Sequence, residues 1–194
     1  MLKVIKDGFT PVRSTKYSAY VDLFAREDVR IGAGETRIVP LGVKINITNE
    51  WAKKQLYKGF FNYHVEERKE WFLKSNYLEL TLISSLAVKG LIIPNGIVII
   101  DLDCPNEIGL IVHNPIIDKN FNEEVGEFGS DRDAFVGSEY IINKGDKVAQ
   151  CTLKEHKGYL MGYESDVVSD GEFGSTGEKA WEILNLDIGM EIKF

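Results

Sequence analysis

Two carboxylates in this sequence stand where an apolar strand is expected to end. Asp101 and Asp103 follow "NGIVII", and a carboxylate in such a position can polarise a water molecule or bind Mg²⁺. Carboxylates at a turn are also often no more than solvated side chains. The pair is a candidate for chemistry, and the sequence leaves both interpretations open.

Hydroxyl and amide side chains interrupt two other apolar stretches. Ser84 and Ser85 break the run "LELTLISSLA", which is typical of a strand bulge or edge, or else offers hydroxyls to a phosphate. Gln150 follows two apolar residues in "GDKVAQ". It is either an ordinary polar residue of a strand or a residue that binds the substrate. These three residues are candidates for binding.

A glycine-rich segment near the end of the chain carries a single aromatic residue. In "DGEFGSTGEKAW", Phe173 has no alternating apolar neighbours that would bury it in a strand. The backbone N–H groups around Gly174, with the hydroxyls of Ser175 and Thr176, suit an anion. A disordered tail is the alternative interpretation.

Several other chemistries lack their motifs. The sequence contains no GxxxxGK[ST] phosphate loop, no GxGxxG dinucleotide fingerprint and no GxSxG nucleophile elbow. His64, His113 and His156 are scattered, and neither Cys104 nor Cys151 has a partner at zinc-ligand spacing. A zinc enzyme or a Cys–His enzyme is not expected.

Composition narrows the class of protein further. The 194 residues carry a formal net charge of -7 with a pI near 5.1, which disfavours non-specific nucleic-acid or membrane binding. The N-terminal residues have no apolar signal core, and no apolar run approaches the ~18 residues of a transmembrane helix. The cysteine spacing suits a reducing compartment. We expect a cytoplasmic protein without a membrane or nucleic-acid partner.

Short apolar strands punctuated by turn residues predict the fold. Residues 36–45 alternate and are expected to turn at Pro40 and Gly42, and further turns are expected at 94–96 and 144–146. Repeated short strands of this kind are typical of an all-β sandwich or jelly roll. We predict one β domain over residues 1–166 and a flexible C-terminal arm over residues 167–194.

Two segments break the strand pattern. Residues 50–76 are rich in helix-forming charged residues, which predicts one or two short helices inserted between strands. Their aromatic residues pack on the barrel or form a surface for a protein or nucleic-acid partner. Residues 118–138 are acidic and glycine-rich, as in a long loop.

Taken in order, five segments resemble the short motifs of the trimeric dUTPase family. They span residues 18–177, and both insertions fall between motifs. The resemblance implies an all-β, jelly-roll-like barrel that assembles as a homotrimer. The segments are "SAYVDLFA" with the following "GETRIVPLGVKI", then "ISSLAVKGL", "NGIVIIDLDCPNEI", "GDKVAQ" and "GEFGSTG".

The resemblance also implies an activity and a role for each candidate residue. The activity is Mg²⁺-dependent hydrolysis of dUTP to dUMP and pyrophosphate, which cleans the nucleotide pool and supplies dTMP precursor. By motif position, Asp101 orients the attacking water, Asn95 faces the base and Phe173 closes over the uracil ring. Mg²⁺ is held mainly by the substrate's phosphates, without a metal-ligating side chain. The expected phosphate contacts are Ser84, Ser85, Gln150, Gly174, Ser175 and Thr176, and Asp22 and Asp103 support the site.

Four positions depart from the family pattern. Losing two arginines removes charge-assisted bonds worth ~1.5–3 kcal/mol each. Candidate replacements are Lys89, Lys144, Lys147 and the basic residues of the segment 50–76. The departures are Ile83 for the second-motif arginine, Cys104 for the third-motif tyrosine, no arginine near Val168, and Glu172 for a glycine.

Other functions remain open at this point. The related dCTP deaminases share the fold, but Ile111 stands where they carry a catalytic glutamate. The departures favour, as an alternative, a catalytically weakened nucleotide-sensing or protein-binding regulatory module, and a different or modified deoxynucleotide is a third hypothesis. Some phage members of the family carry a regulatory segment in the interval occupied here by 118–138, so we expect a phage or prophage origin and a protein partner as a second role.

Overall fold

The computed structural model describes residues 1–56, 64–115 and 139–162. Strands dominate this part of the chain, and the helices are short. The predicted arm over 167–194 and the whole of the segment 118–138 lie outside the described residues. The elements are β1 Leu2–Val4, β2 Val21–Phe24, β3 Val29–Ile31, β4 Thr36–Ile45, α1 Asn49–Leu56, α2 Val65–Ser75, β5 Asn76–Leu82, α3 Ser84–Val88, β6 Val98–Asp101, β7 Glu107–His113, β8 Tyr140–Ile142, β9 Lys147–Glu155 and a 3₁₀ helix Gly158–Met161.

The described strands form three antiparallel sheets around one core. Their strand orders are β1-β4-β7, β2-β9-β5-β6 and β3-β8. Leu23, Val39, Leu80, Leu110 and Ile142 come from all three sheets, and each is at most 1% exposed. Burying a side chain of this size contributes roughly 1.5–3 kcal/mol. The core therefore holds together strands that are far apart in sequence.

The turn predicted at Pro40 and Gly42 is wrong, because β4 runs through both residues. Its pairing with β7 shifts between Pro40 and Lys44 instead. Proline lacks an N–H for the ladder and is tolerated at such a bulge. Gly42 has a φ of 65°, and its N–H donates to Glu107 Oε1 at 2.7 Å. The bulge thus keeps a ten-residue strand continuous.

Two helices occupy the first insertion, as predicted. α1 and α2 connect β4 to β5, and Trp51 of α1 packs against Phe72 of α2 with ring centroids 5.2 Å apart. Trp71 is 54% exposed and contacts Tyr159 edge-on at 4.9 Å. Residues 57–63 of this insertion lie outside the described part of the chain. Phe72 also packs against the core, so the interpretation that these aromatics pack on the barrel holds for Phe72, whereas Trp71 remains largely at the surface.

Ser84 and Ser85 do not interrupt a strand, contrary to the sequence prediction. β5 ends at Leu82, and the two serines begin the five-residue helix α3. Leu86 of α3 is buried and anchors the helix on the core.

The turns predicted at 94–96 and 144–146 are confirmed, since Gly96 and Gly145 both take left-handed φ angles there. No helix within the described ranges has the length and hydropathy needed to cross a lipid bilayer.

Candidate functional site

A cleft of about 390 Å³ collects residues from three separate parts of the sequence. The first part is the loop that leads into β2, the second is the start of α3, and the third is the beginning of β9. The cleft contains the candidates Asp22, Ser84, Ser85 and Gln150 together. It is lined by Ser14, Ser18, Ala19, Tyr20, Asp22, Ile83, Ser84, Ser85, Lys147 and Gln150.

Strand pairing explains why these parts meet. Gln150 of β9 lies opposite Asp22 of β2 on one side and Thr81 of β5 on the other. The next residues, Leu23 and Ala149, are buried in the core, so Asp22 and Gln150 face the other side of the sheet. The N–H of Ile83 donates to the carbonyl of Val148 at 3.2 Å, which places the start of α3 beside β9.

Asp22 forms an ion pair and a hydrogen bond within the cleft. Its Oδ2 lies 2.8 Å from Lys147 Nζ and accepts a hydrogen bond from Ser14 Oγ. Burial alone would raise the pKa of the Asp22 carboxyl, but the bonds from Lys147 and Ser14 outweigh it and the pKa is lowered from 3.8. Asp22 is therefore an anion at neutral pH with two donors holding its position.

Tyr20 adds an aromatic wall that the sequence analysis did not single out. It stands where the first motif usually has glycine, and its hydroxyl donates to Glu79 Oε1 at 2.5 Å. This hydrogen bond is the main cause of the raised pKa of Tyr20. Lys154 Nζ lies 3.7 Å from the same carboxylate oxygen. The tyrosine is thus fixed on the outer face of the sheet beside the cleft.

Asp101 and Asn95 lie apart from the cleft. Asp101 is exposed at the end of β6 and pairs with Tyr77, whereas Gln150 pairs with Thr81, four residues further along β5. Four residues span about 13 Å along a strand, and two strand spacings add about 10 Å across the sheet. The backbone positions of the two residues are therefore about 16 Å apart in one chain, although both residues belong to one face of the sheet.

The remaining candidates have varied placements. Asn95 is exposed in the turn before β6, and Asp103 and Cys104 follow Asp101 in the turn after it. The N–H of Cys104 donates to the carbonyl of Asp101 at 3.1 Å, which closes that turn. In the described part of the chain, no group of three or more His, Cys, Asp or Glu side chains could hold a metal ion. Four candidates lie outside the described residues: Phe173, Gly174, Ser175 and Thr176.

The structure also distinguishes the lysines considered as replacements for the missing arginines. Lys89 Nζ lies 3.2 Å from the hydroxyl of Tyr140 and over its ring, away from the cleft. Lys144 is exposed in the turn before β9, where its backbone N–H donates to Asp28. Lys147 alone among these three lines the cleft. Ser14 is a further cleft residue without any sequence signal, because it precedes the first motif.

Comparison with known proteins finds relatives by structure rather than by sequence. No protein-family model matches the sequence, and no curated protein matches it significantly. The dUTPase of phage phi11 of S. aureus has a TM-score of 0.55 and 20% identity, with 90% of this chain and 97% of that chain covered. The dUTPase of Staphylococcus bacteriophage 80alpha with dUpNHpp has a TM-score of 0.55 and 19% identity, with 92% of each chain covered.

These likenesses confirm the predicted fold. The chain has the all-β dUTPase fold with a helical insertion, at only 19–20% sequence identity to these two phage proteins. A mutant of the phi11 dUTPase coordinates a structural Mg(II) ion, and the phage dUTPases that include the 80alpha protein control transfer of virulence genes. Those properties belong to the relatives.

Proposed function

We propose that this chain, which has the dUTPase fold, hydrolyses dUTP to dUMP and pyrophosphate. The observation that carries the proposal is the cleft itself. Asp22, Ser84 and Gln150 come from the segments that resemble the first, second and fourth dUTPase motifs, and all three line one surface. Strand pairing brings these segments together, and the hydroxyl and amide groups that they place in the cleft suit a ligand that carries phosphates.

The cleft is suited to the phosphates of the substrate. Ser84 and Ser85 are exposed at the start of α3, and the Gln150 amide faces the same space from β9. Hydroxyl and amide donors of this kind hydrogen-bond phosphate oxygens. Asp22 supports the site by fixing neighbouring donors. Oxygen donors are also those that Mg²⁺ prefers, and we propose that Mg²⁺ binds mainly through the substrate's phosphates and shields their charge near Asp22.

Asp101 is proposed to orient the water that attacks the α-phosphorus. The new bond joins the water oxygen to that phosphorus while the Asp101 carboxylate accepts the proton that the water loses. The bond to the α–β bridging oxygen breaks, and pyrophosphate leaves. Asn95, in the turn before the same strand, is proposed to face the base, and Asp103 to support the turn. Because Asp101 lies about 16 Å from Gln150 in its own chain, it must serve the cleft of another chain.

A site shared between chains requires an oligomer, and we propose the homotrimer that the resemblance to dUTPases implies. A closed ring of three chains lets the β6 turn of each chain approach the cleft of its neighbour, so that three equivalent sites form. The arm over 167–194 is proposed to close each site, with Phe173 over the uracil ring and Gly174, Ser175 and Thr176 on the phosphates. Stacking of an aromatic side chain on a base contributes roughly 1–3 kcal/mol. We place this reaction in the cytoplasm of the producing or infected cell.

Pyrophosphate release from a panel of nucleoside triphosphates with Mg²⁺ tests the proposal. We expect selective turnover of dUTP by the wild type, and loss of at least about 100-fold in Asp101→Asn and in a chain that ends before Asp170. Glu155→Gln, which changes an exposed carboxylate at the end of β9, is the matched control and should keep full activity. Wild-type protein that turns over no nucleotide would reject the enzyme in favour of a binding module.

A further inference from the structure

One side chain brings positive charge into the cleft. Among the described residues that line it, Lys147 is the cation, and Ile83 occupies the position of the missing second-motif arginine. A triphosphate carries several negative charges, which neutral hydroxyl and amide donors do not offset. A substrate of this class therefore needs Lys147 or a cation supplied from elsewhere.

A strand irregularity directs Lys147 toward the cleft. Leu23 pairs with Ala149, but the next residue of β2, Phe24, pairs with Lys147, so that Val148 is the extra residue of a bulge. Val148 and Ala149 are both fully buried, although neighbouring residues of a regular strand point to opposite faces. Bulges re-aim side chains and are frequent beside active sites. This bulge places Lys147 on the same side of β9 as Gln150.

The contacts of Lys147 leave part of its ammonium group available. Nζ lies 2.8 Å from Asp22 Oδ2 and 3.2 Å from Ser14 Oγ. An ammonium has three N–H donors on a flexible stem, so two contacts leave one donor free. The Lys147 side chain remains 43% exposed, whereas that of Asp22 is 11% exposed. The ammonium end of the pair is thus open to solvent in the cleft, where a ligand can reach it.

We propose that Lys147 is the cation that holds the substrate's phosphates, and that Asp22 and Ser14 position its ammonium in the cleft. This role of Lys147 depends on the proposed function in one respect, namely that the ligand of the cleft carries a chain of phosphates. Lys147 donates its free N–H to a phosphate oxygen while Asp22 keeps the stem in place. The bulge at Val148 is the structural feature that makes this lysine, rather than Lys144 or Lys89, the substitute for the arginine absent at Ile83.

Binding of inorganic tripolyphosphate to the full-length protein, measured by calorimetry, tests the proposal without relying on turnover. We expect Lys147→Met to weaken the affinity about 10-fold to 100-fold, since a charge-assisted hydrogen bond is lost. Lys147→Arg should stay within a few-fold of wild type. Lys144→Met and Lys89→Met each remove one positive charge that does not line the cleft, and should leave the affinity unchanged.

The positioning of the Lys147 ammonium by Ser14 is tested by a separate variant. Ser14→Ala keeps the charge of Lys147 but removes one of its two anchors, so we expect a loss of only a few-fold in tripolyphosphate affinity. In dUTP turnover, Lys147→Met should raise KM more than it lowers kcat. Thermal denaturation identifies a variant that fails to fold, and Lys147→Gln then replaces Lys147→Met as the neutral variant.

The outcomes separate this proposal from the proposed function. Equal losses in Lys147→Met and Lys144→Met, or an unchanged affinity in Lys147→Met, would overturn the role of Lys147 even if dUTP is hydrolysed. Absence of tripolyphosphate binding by the wild type would overturn it as well. Tight binding that depends on Lys147, in a protein that hydrolyses no dUTP, would support the phosphate contact and reject the proposed function.

Discussion

Complementation between two inactive variants follows from the distance between Asp101 and the cleft. One variant carries Asp101→Asn and keeps an intact cleft. The other carries Ser84→Ala and Gln150→Ala together and keeps Asp101. If the two halves of a site come from different chains, a mixed trimer contains sites in which both halves are intact. If they come from one chain, every site in the mixture carries a defect.

The expected magnitude follows from chain statistics. With equal amounts of both variants and random assembly, each site has an even chance of an intact cleft and an even chance of an intact Asp101. About one quarter of the sites should then be complete, provided that neighbouring chains are chosen independently in a closed ring. The Asp101→Asn parent should retain about 1% of wild-type activity or less, because a positioned general base contributes about 100-fold or more. The Ser84→Ala and Gln150→Ala parent should fall to a similar level, because it loses two hydrogen bonds to the phosphates worth about 1.5–3 kcal/mol each.

The assay is pyrophosphate release by co-expressed, differently tagged variants, normalised to total protein. We expect about a quarter of the wild-type rate in the mixture. Each variant co-expressed with a tagged copy of itself is the control for the tags and should stay at the parental level. A mixture no more active than the mean of its parents would refute the reasoning from β5 register that places Asp101 and Gln150 in different sites.

Three further predictions concern stability and reactivity. Gly8→Ala should destabilise the fold by about 2–3 kcal/mol in chemical denaturation, because a Cβ on Gly8 would lie 2.1 Å from the carbonyl oxygen of Gly42. Asp22→Asn should reduce the loss in the free energy of unfolding that acidification causes. Because the pKa of Asp22 is lowered in the folded state, its contribution of about 1–2 kcal/mol is present above pH 3.8 and is lost as the pH falls through the folded pKa. A thiol reagent should label Cys104 readily in the native protein but not Cys151, since Cys151 is 2% exposed and burial, with Asp22, raises its pKa to about 12.

Controls make these three outcomes decisive. Gly32→Ala meets its nearest neighbour at 3.4 Å, an ordinary contact, and should change stability by less than about 1 kcal/mol; an equal effect of both glycine variants would contradict the steric argument. If the free energy of unfolding falls with acidification as much in Asp22→Asn as in the wild type, the ion pair of Asp22 does not contribute to stability. Rapid labelling that persists in Cys104→Ser would show that Cys151 is accessible.

The strand content and the turns are predictable from the sequence because they depend on local signals. Alternating apolar residues and left-handed glycines such as Gly96 and Gly145 report the structure of their own neighbourhood. The helix α3 was missed because the apolar run around Ser84 is too short for its periodicity to separate helix from strand. At Pro40, strand pairing with β7 outweighs the turn preference of proline and glycine, and a bulge results.

The arrangement of the site depends on contacts that no local pattern shows. The motif order predicts that Asp22, Ser84 and Gln150 act together, and they do share one cleft. The place of Asp101 follows from the register between β5 and β6, and the direction of Lys147 follows from a bulge created by pairing with β2. Both are long-range features. Ser14 enters the cleft only because its loop folds back beside β2.

Phosphorus NMR of dUTP incubated with the wild-type protein and Mg²⁺ tests the central claim most directly, because it identifies both products at once. The account predicts stoichiometric dUMP and pyrophosphate, with no dUDP or inorganic phosphate, and no comparable turnover of dCTP or dTTP. Release of dUDP and inorganic phosphate would place the attack at the γ-phosphorus and contradict the proposed chemistry. Unchanged dUTP would contradict the enzyme itself.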